Sequence, residues 1–354
     1  MSIQTISIRT APPYAVSIGP GLLADCGARL RALFPPCHLA VIADSNVAPL
    51  YLATVCNSME SAGFAVSSYV FPAGESSKNM TTLSAILEFL AGEHLTRGDC
   101  VAALGGGVTG DMAGFAAGCY LRGVDYVQLP TTLLAAVDSS VGGKTAIDLQ
   151  AGKNLAGLFL QPKAVLCDTD CLASLPPEML ADGAAEAIKT GVLYDESLFS
   201  LLEAGDFQGK LPDIIARCVA LKGGVVEQDE HELGQRKLLN LGHTAGHAVE
   251  VCSGYAIPHG HAVAMGLALI ARAAQTLDWC EAPCAARIAA CLTACALPVS
   301  IPFSAQELAA AALTDKKRSG GAITLVVPLK IGTCVLREVP VTDLAAIFRA
   351  GGAT

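Results

Sequence analysis

Alternating apolar and polar positions open the chain. Residues 3 to 18 read as two short strands around Ala11-Pro12-Pro13, which predicts a hairpin. Beyond it the pattern changes to one of strands and helices in turn. Residues 38–43 form an apolar run ending at Asp44, as a strand buried on both faces requires, and residues 46 to about 62 follow with helical spacing. Residues 65–71 make the next strand, closed by Pro72-Ala73-Gly74-Glu75, then comes an amphipathic helix over 80–93 and another buried strand over 100–104. Such alternation predicts a mostly parallel, Rossmann-like sheet with ligands at the strand ends. From about Leu172 the spacing is helical, over 177–195, 211–226, 261 to about 279, 282–297, 304–314 and 341–350, interrupted by a hairpin over 322–337. We therefore expect an α/β domain over residues 1–170, a mainly α-helical domain over 171–354, and an active cleft where they meet.

Composition narrows the function classes. With 52% hydrophobic and 16% charged residues the chain must bury a large core, yet no apolar run approaches the ~18 residues of a membrane span. The N-terminal residues alternate like a strand and lack the basic and apolar blocks of a signal peptide, so the expected location is the cytoplasm. A net charge of -9 argues against a nucleic-acid surface, and any anionic substrate must meet basic residues focused in a pocket. The 14 cysteines are expected to be free thiols. Cys280, Cys284, Cys291 and Cys295 share a helical face, but one straight helix cannot wrap four thiolates around an ion, so small buried residues are the better reading.

Three stretches carry candidate chemistry. Residues 105–110 fit G-x-G-x-x-G between a strand and a helix, where glycines let backbone N–H groups approach a pyrophosphate. Asp44 at an earlier strand end could accept hydrogen bonds from a ribose, so together they favour a dinucleotide over a plain tight turn, although an ordinary Rossmann unit has its glycines after the first strand. Residues 130–162 are rich in glycine and polar groups, but Gly142-Gly143-Lys144-Thr145 fails as a P-loop because Asp138 stands where the first glycine belongs. What remains there is lysine and asparagine held by turns, suited to a phosphate or carboxylate. Finally, four of the seven histidines gather in His243, His247, His259 and His261. His243 and His247 fall on one helical face, within reach of a shared metal or of a metal and its substrate; satisfied core histidines are the bland alternative. Gly242 and Gly246 beside them leave room for a close approach, at roughly 1 kcal/mol of helix propensity each. Glu186 and Lys189, three apart, share a helical face as well.

In order along the chain, Gly74-Glu75 with Lys78, residues 105–111, Gly114-Phe115, Arg122-Gly123, residues 130–145, Gly152-Lys153-Asn154, Gln161-Pro162, Glu186 with Lys189, residues 239–250, His259-Gly260 and Asp315-Lys316-Lys317 resemble the 3-dehydroquinate synthases, within the sugar-phosphate cyclases. The resemblance spans nearly the whole chain. It implies zinc, or cobalt in its place, held by Glu186, His243 and His259, which makes His247 a substrate-facing histidine and not a ligand. It implies NAD along Asp44, Asn46, Glu75, Lys78, Gly106, Gly107, Val108, Gly110, Asp111, Thr131, Thr132, Asp138, Ser139, Lys144, Lys153, Leu172 and Ser174. The implied reaction converts 3-deoxy-D-arabino-heptulosonate 7-phosphate to 3-dehydroquinate and phosphate by transient oxidation, β-elimination, reduction, ring opening and intramolecular aldol closure.

By the same resemblance Arg236 suits the substrate carboxylate. Lys144, Asn154, Asn240, His247 and Lys316 would hold the phosphate end, and Asp138, Lys189 and Lys222 the ring hydroxyls. Arg122 would reach the partner's site in a homodimer. Two positions depart from the family pattern. His261 stands where glutamate is usual, offering an alternative ligand or a changed charge beside the metal, and Asp148 stands where many members have asparagine. Rival readings are a cyclase making 2-deoxy-scyllo-inosose or 2-epi-5-epi-valiolone, an NAD-dependent polyol dehydrogenase, and an NAD-binding regulator without activity.

Overall fold

A computed structural model describes residues 3–354 except 206, 314–317 and 320. The chain divides into two compact units, Met1–Leu175 with Lys222–Glu230, and Pro176–Leu221 with His231–Thr354.

The first unit contains β1 (Gln4–Ile8), β2 (Tyr14–Gly19), α1 (Cys26–Arg31), β3 (His38–Asp44), α2 (Ala53–Ser61), β4 (Ala65–Phe71), α3 (Met80–Gly92), β5 (Cys100–Gly105), α4 (Gly107–Cys119), β6 (Asp125–Pro130), β7 (Lys144–Leu149), β8 (Gly152–Phe159) and β9 (Ala164–Asp168). Seven strands form one sheet in the order β1-β2-β9-β6-β5-β3-β4, parallel except for the expected β1–β2 hairpin. Strand alternation sorts the core onto two faces. Leu39, Val41 and Ala43 pack with Leu30, Val55 and Met59 from α1 and α2, whereas Ala40 and Ile42 pack with Ile86, Leu90, Met112 and Ala116 from α3 and α4. Each of the Leu, Ile, Val and Met side chains among them, once fully buried, contributes on the order of 1.5–3 kcal/mol.

The strand order explains why the glycine turn follows β5. The chain runs from β3 outward to β4 and then returns to β5 on the other side of β3. The order therefore reverses between β3 and β5, and a crevice opens at such a switch point beyond the carboxyl ends of the strands. Asp44 ends one of these strands and Gly105 the other. Residues 130–162, read as turns, instead contain β6's last residue and the antiparallel β7–β8 pair. The glycines and polar positions there concealed a period-2 pattern, because β8 is partly or fully exposed at every position.

The second unit contains α5 (Pro177–Tyr194), α6 (Glu196–Glu203), the first part of α7 (Leu211–Gln228), α8 (His243–Cys252), α9 (His259–Thr276), α10 (Ala285–Ala294), α11 (Ala305–Ala312), β10 (Arg318–Ser319), β11 (Ala322–Lys330), β12 (Thr333–Pro340) and α12 (Leu344–Ala350). A three-stranded sheet, β10-β11-β12, thus sits within a mainly helical unit. α9 starts at His259, two residues earlier than its spacing predicted, with Pro258 as its N-cap residue. Among the described residues no helix is long and apolar enough to cross a membrane.

Glycine decides how α8 and α9 meet. A Cβ at Gly266 would lie 2.1 Å from the Gly242 carbonyl oxygen and 2.8 Å from the Gly246 nitrogen. The room that Gly242 and Gly246 leave is therefore taken by the backbone of α9. Gly242 also has φ 77°, the left-handed turn from which α8 departs.

Candidate functional site

In the second unit three helices converge on one point. Glu186 on α5, His243 at the start of α8 and His259 at the start of α9 each place a ligand atom within 4.8 Å of the others. Glu186 is 1% exposed, and neither carboxylate oxygen has a hydrogen bond of ordinary geometry. Its Oε1 stands 3.6 Å from His243 Nε2 and 3.5 Å from His259 Nε2, while Oε2 contacts the Lys189 ammonium. Two donors about 2.0–2.2 Å from one ion and a tetrahedral angle apart lie roughly 3.3–3.6 Å from each other, so the spacing is that of a metal trio.

The remaining ring nitrogens are oriented from outside. His243 Nδ1 faces the Leu241 carbonyl oxygen at 3.1 Å, and His259 Nδ1 faces Glu250 Oε2 at 3.4 Å. Metal-binding histidines are commonly held in this way, because a partner at one nitrogen fixes the tautomer and aims the other. Electrostatics agree. Burial opposes ionisation of Glu186, but Lys189 and His259 hold its carboxyl down at about 2. Burial likewise opposes protonation of His259, yet Glu186 and Glu250 push its imidazole up to about 10. Glu250 was not among the residues singled out from sequence, although it lies three residues after His247 and so on the same helical face.

Other expected residues of this unit fall as follows. His247 lies beside the trio, its ring centroid 5.3 Å from that of His243 and 6.2 Å from that of His259. It also forms a second possible ligand group with Glu250 and His259. Lys189 is 2% exposed and Arg236 1%. Asn240 donates to Glu232 Oε1 at 2.6 Å. His261 belongs to neither ligand group: its Nδ1 lies 3.1 Å from Asp182 Oδ1. Lys316 lies outside the described residues. All 14 cysteines are free, and neither ligand group contains one.

In the first unit the carboxyl ends of β3 and β5 and the segments near them carry these groups. Asp44 Oδ1 accepts the N–H groups of Asn46 and Val47 at 2.9 and 3.1 Å, and Thr109 donates to Oδ2 at 3.1 Å, tying the end of β3 to the first turn of α4. Gly106 leads into α4, and no side chain caps that helix. A Cβ at Gly106 would lie 3.1 Å from Thr132 Cγ2, and one at Gly107 3.1 Å from Ser139 Oγ. Val108 and Gly110 continue the first turn of α4. Thr131 is 3% exposed and its hydroxyl has no hydrogen-bond partner. An uncapped helix start, a glycine cradle and an orphaned buried hydroxyl together suit a dinucleotide pyrophosphate. Leu172 is buried, and Ser174 Oγ pairs with the Tyr51 hydroxyl at 2.6 Å.

A polar network runs on from α4. Lys78, 5% exposed, places its ammonium 2.6 Å from Asp111 Oδ2 and donates to Asn154 Oδ1 at 2.6 Å. Burial disfavours its charge, but Asp111 and Glu75 raise its pKa above the usual lysine value. Lys153 lies 3.4 Å from Glu75. Asp148 donates its N–H to the Lys78 carbonyl and accepts the Asn154 N–H, both at 2.8 Å, work for which an asparagine oxygen would also serve. Lys222 donates to Asp138 Oδ1 at 2.9 Å and to its carbonyl at 2.7 Å. Lys144 is exposed at the start of β7. Arg122 is exposed on a turn in which Leu121, Arg122 and Gly123 all have positive φ.

Comparison with known proteins bears on these arrangements. Residues 68–182 match the family model described as 3-dehydroquinate synthase N-terminal, and residues 183–318 the one described as 3-dehydroquinate synthase C-terminal. A 3-dehydroquinate synthase of Xanthomonas oryzae pv. oryzae (strain MAFF 311018) is 44% identical over 364 aligned positions, covering 98% of this chain and 98% of its own. Among solved structures, a 2-epi-5-epi-valiolone synthase from Streptomyces hygroscopicus subsp. jinggangensis 5008, with NAD+ and Zn2+ bound, has a TM-score of 0.87 at 26% identity, covering 96% of each chain. A 2-deoxy-scyllo-inosose synthase complexed with carbaglucose-6-phosphate, NAD+ and Co2+ has a TM-score of 0.88 at 24% identity, covering 98% of this chain and 99% of its own, a likeness of fold alone. With the two halves of the family model matched in sequence and a relative this similar over its full length, the chain belongs to the 3-dehydroquinate synthase family.

Proposed function

We propose that the chain performs its family's reaction, converting 3-deoxy-D-arabino-heptulosonate 7-phosphate to 3-dehydroquinate and phosphate, with NAD carried by the first unit and a divalent ion by the second. The observation that carries this is the spacing of Glu186, His243 and His259 around one point. When bound, NAD supplies a reversible hydride acceptor and the ion acidifies and orients the substrate hydroxyls.

The chain's own residues bind and position. Glu186, His243 and His259 hold zinc, or cobalt in its place. The glycine cradle of Gly106 and Gly107, with Thr131, receives the dinucleotide pyrophosphate, and Asp44 faces the adenosine ribose. Arg236 presents a planar fork to the carboxylate. Lys144, Asn154, Asn240 and His247 hold the phosphate end, and Asp138, Lys189 and Lys222 the ring hydroxyls. Holding so many groups of one substrate is a positioning device, and positioning can contribute a large part of a rate enhancement. Arg122, on its exposed turn, serves the site of a second copy in a homodimer. The free thiols suit a reducing cytoplasm.

Of the two rival cyclases, both act on sugars without the carboxylate that Arg236 suits, and their similarity to this chain is 24–26% identity against 44% for the 3-dehydroquinate synthase. One incubation decides. With the heptulosonate phosphate, catalytic NAD and zinc, phosphate release without net NADH supports the proposal. Stoichiometric NADH indicates a dehydrogenase, and no phosphate release refutes the assignment.

A further inference from the structure

We infer that Asp182 is a positioning residue for the metal trio, a side-chain cap supplied by α5 that fixes the N-terminus of α9, and His259 with it, relative to Glu186. The inference rests on the metal reading above and deepens it. Asp182 stands four residues before Glu186 on α5, one helical turn away, so whatever it holds is held relative to that ligand. Its Oδ1 accepts the backbone N–H of His261 at 3.0 Å and lies 3.1 Å from the His261 ring Nδ1.

His261 is the third residue of α9, and the first N–H groups of a helix have no partner within it. The residue that should cap them locally is Pro258, which makes no side-chain cap bond. The cap therefore comes from another helix. Contact is closest at Gly260, where a Cβ would lie 2.0 Å from the Asp182 carbonyl oxygen. His259, the first residue of α9, is thus pinned two residues from the anchor.

The same geometry gives the His261 side chain a use. Asp182 and His261 are a matched pair: the ring makes a second contact to the oxygen that caps the helix. Glutamate at 261 beside Asp182 would set two carboxylates side by side.

The test is zinc affinity of the full chain, measured by competition with a chromophoric chelator after metal removal, with circular dichroism confirming the fold. Asp182→Ala is expected to weaken zinc binding about 10–100-fold, the range found for outer partners of metal ligands. Asp182→Asn, which keeps the acceptor oxygen, retains most of the affinity. His261→Glu alone weakens binding, and the double variant Asp182→Ser/His261→Glu recovers it. Parental affinity in Asp182→Ala overturns the inference. Should that variant not fold, equal affinity of the parent, His261→Glu and the double variant overturns it. A parent chain that takes up no zinc refutes the metal reading itself, and the clamp with it.

Discussion

Replacing Gly266 by alanine tests whether the crossing of α8 and α9 sets the metal geometry. The added Cβ would sit 2.1 Å from the Gly242 carbonyl oxygen, and ordinary contact begins at 3.4 Å, so the helices must part by about 1.3 Å. Both neighbours are backbone, and no rotamer can relieve the clash. Forcing extra volume into so tight a contact costs about 1–3 kcal/mol, enough to lower Tm by several degrees. The local effect is larger. His243 follows Gly242 directly, and His259 lies two turns before Gly266 on α9, so both histidines move with the helices that separate. Metal–ligand distances tolerate only about 0.2 Å, and a displacement of about 1 Å at a reacting centre can reduce turnover about 100-fold. Zinc affinity is therefore expected to fall at least tenfold, as read by chelator competition alongside thermal unfolding. Gly224→Ala is the control: it lies within α7 with nothing within 4 Å of the added carbon, so it should stabilise by about 0.5–1 kcal/mol. Parental zinc affinity and parental Tm in Gly266→Ala would refute the idea that this crossing spaces the ligands.

Three further outcomes are expected. Glu186→Gln removes the proposed metal ligand and the carboxylate that faces the buried Lys189 ammonium, so zinc binding is expected to be lost and stability to fall by about 3–5 kcal/mol; zinc retained at parental stoichiometry contradicts the trio. Thr131→Val removes a buried hydroxyl that has no partner, so it should leave stability nearly unchanged while raising the NAD dissociation constant roughly 2–10-fold, as the loss of one hydrogen bond implies; titration calorimetry showing unaltered NAD binding refutes that role. Asp195 caps α6 and binds Arg217, and although burial opposes it, these bonds lower its carboxyl pKa. A lowered folded-state pKa stabilises the protein fully above the unfolded value of about 3.9, and that stability is lost as pH falls below it. Parent and Asp195→Asn should therefore differ by up to about 1 kcal/mol in urea melts near neutrality and converge in acid, whereas a gap independent of pH would exclude the charge as its source.

The elements legible in the sequence are those whose signal is local. β3 and β5 are apolar runs with abrupt ends, and every position of β5 is indeed buried. The trio itself was reached through motif resemblance; periodicity alone grouped His243 with His247, because four residues on a helix share a face while His259 belongs to a different helix. β8 escaped notice because an exposed strand lacks an apolar stripe, and β7 because its buried alternate positions are only Thr145 and Ile147, one of them polar. The use of Gly242 and Gly246 was half visible: a cost in propensity marked a close approach, but what approaches is a helix whose closest glycine lies 20 residues further on. Asp182 had no signal at all. Its partner is 79 residues away, and only the folded backbone brings the two together.

The polypeptide visits the first unit twice, returning for Lys222–Glu230 after the 46 residues of Pro176–Leu221 spent in the second. That short return supplies Lys222 to Asp138, Glu230 to Gln161 and Glu227 to the backbone of Arg9. A gene truncated after residue 175 would thus encode the first unit without the Lys222 contact to Asp138, the Glu230 contact to Gln161 and the Glu227 contact just past β1. The two halves could not have been joined, or be separated, by a single cut, and anyone wishing to express one alone must graft this nine-residue piece onto it.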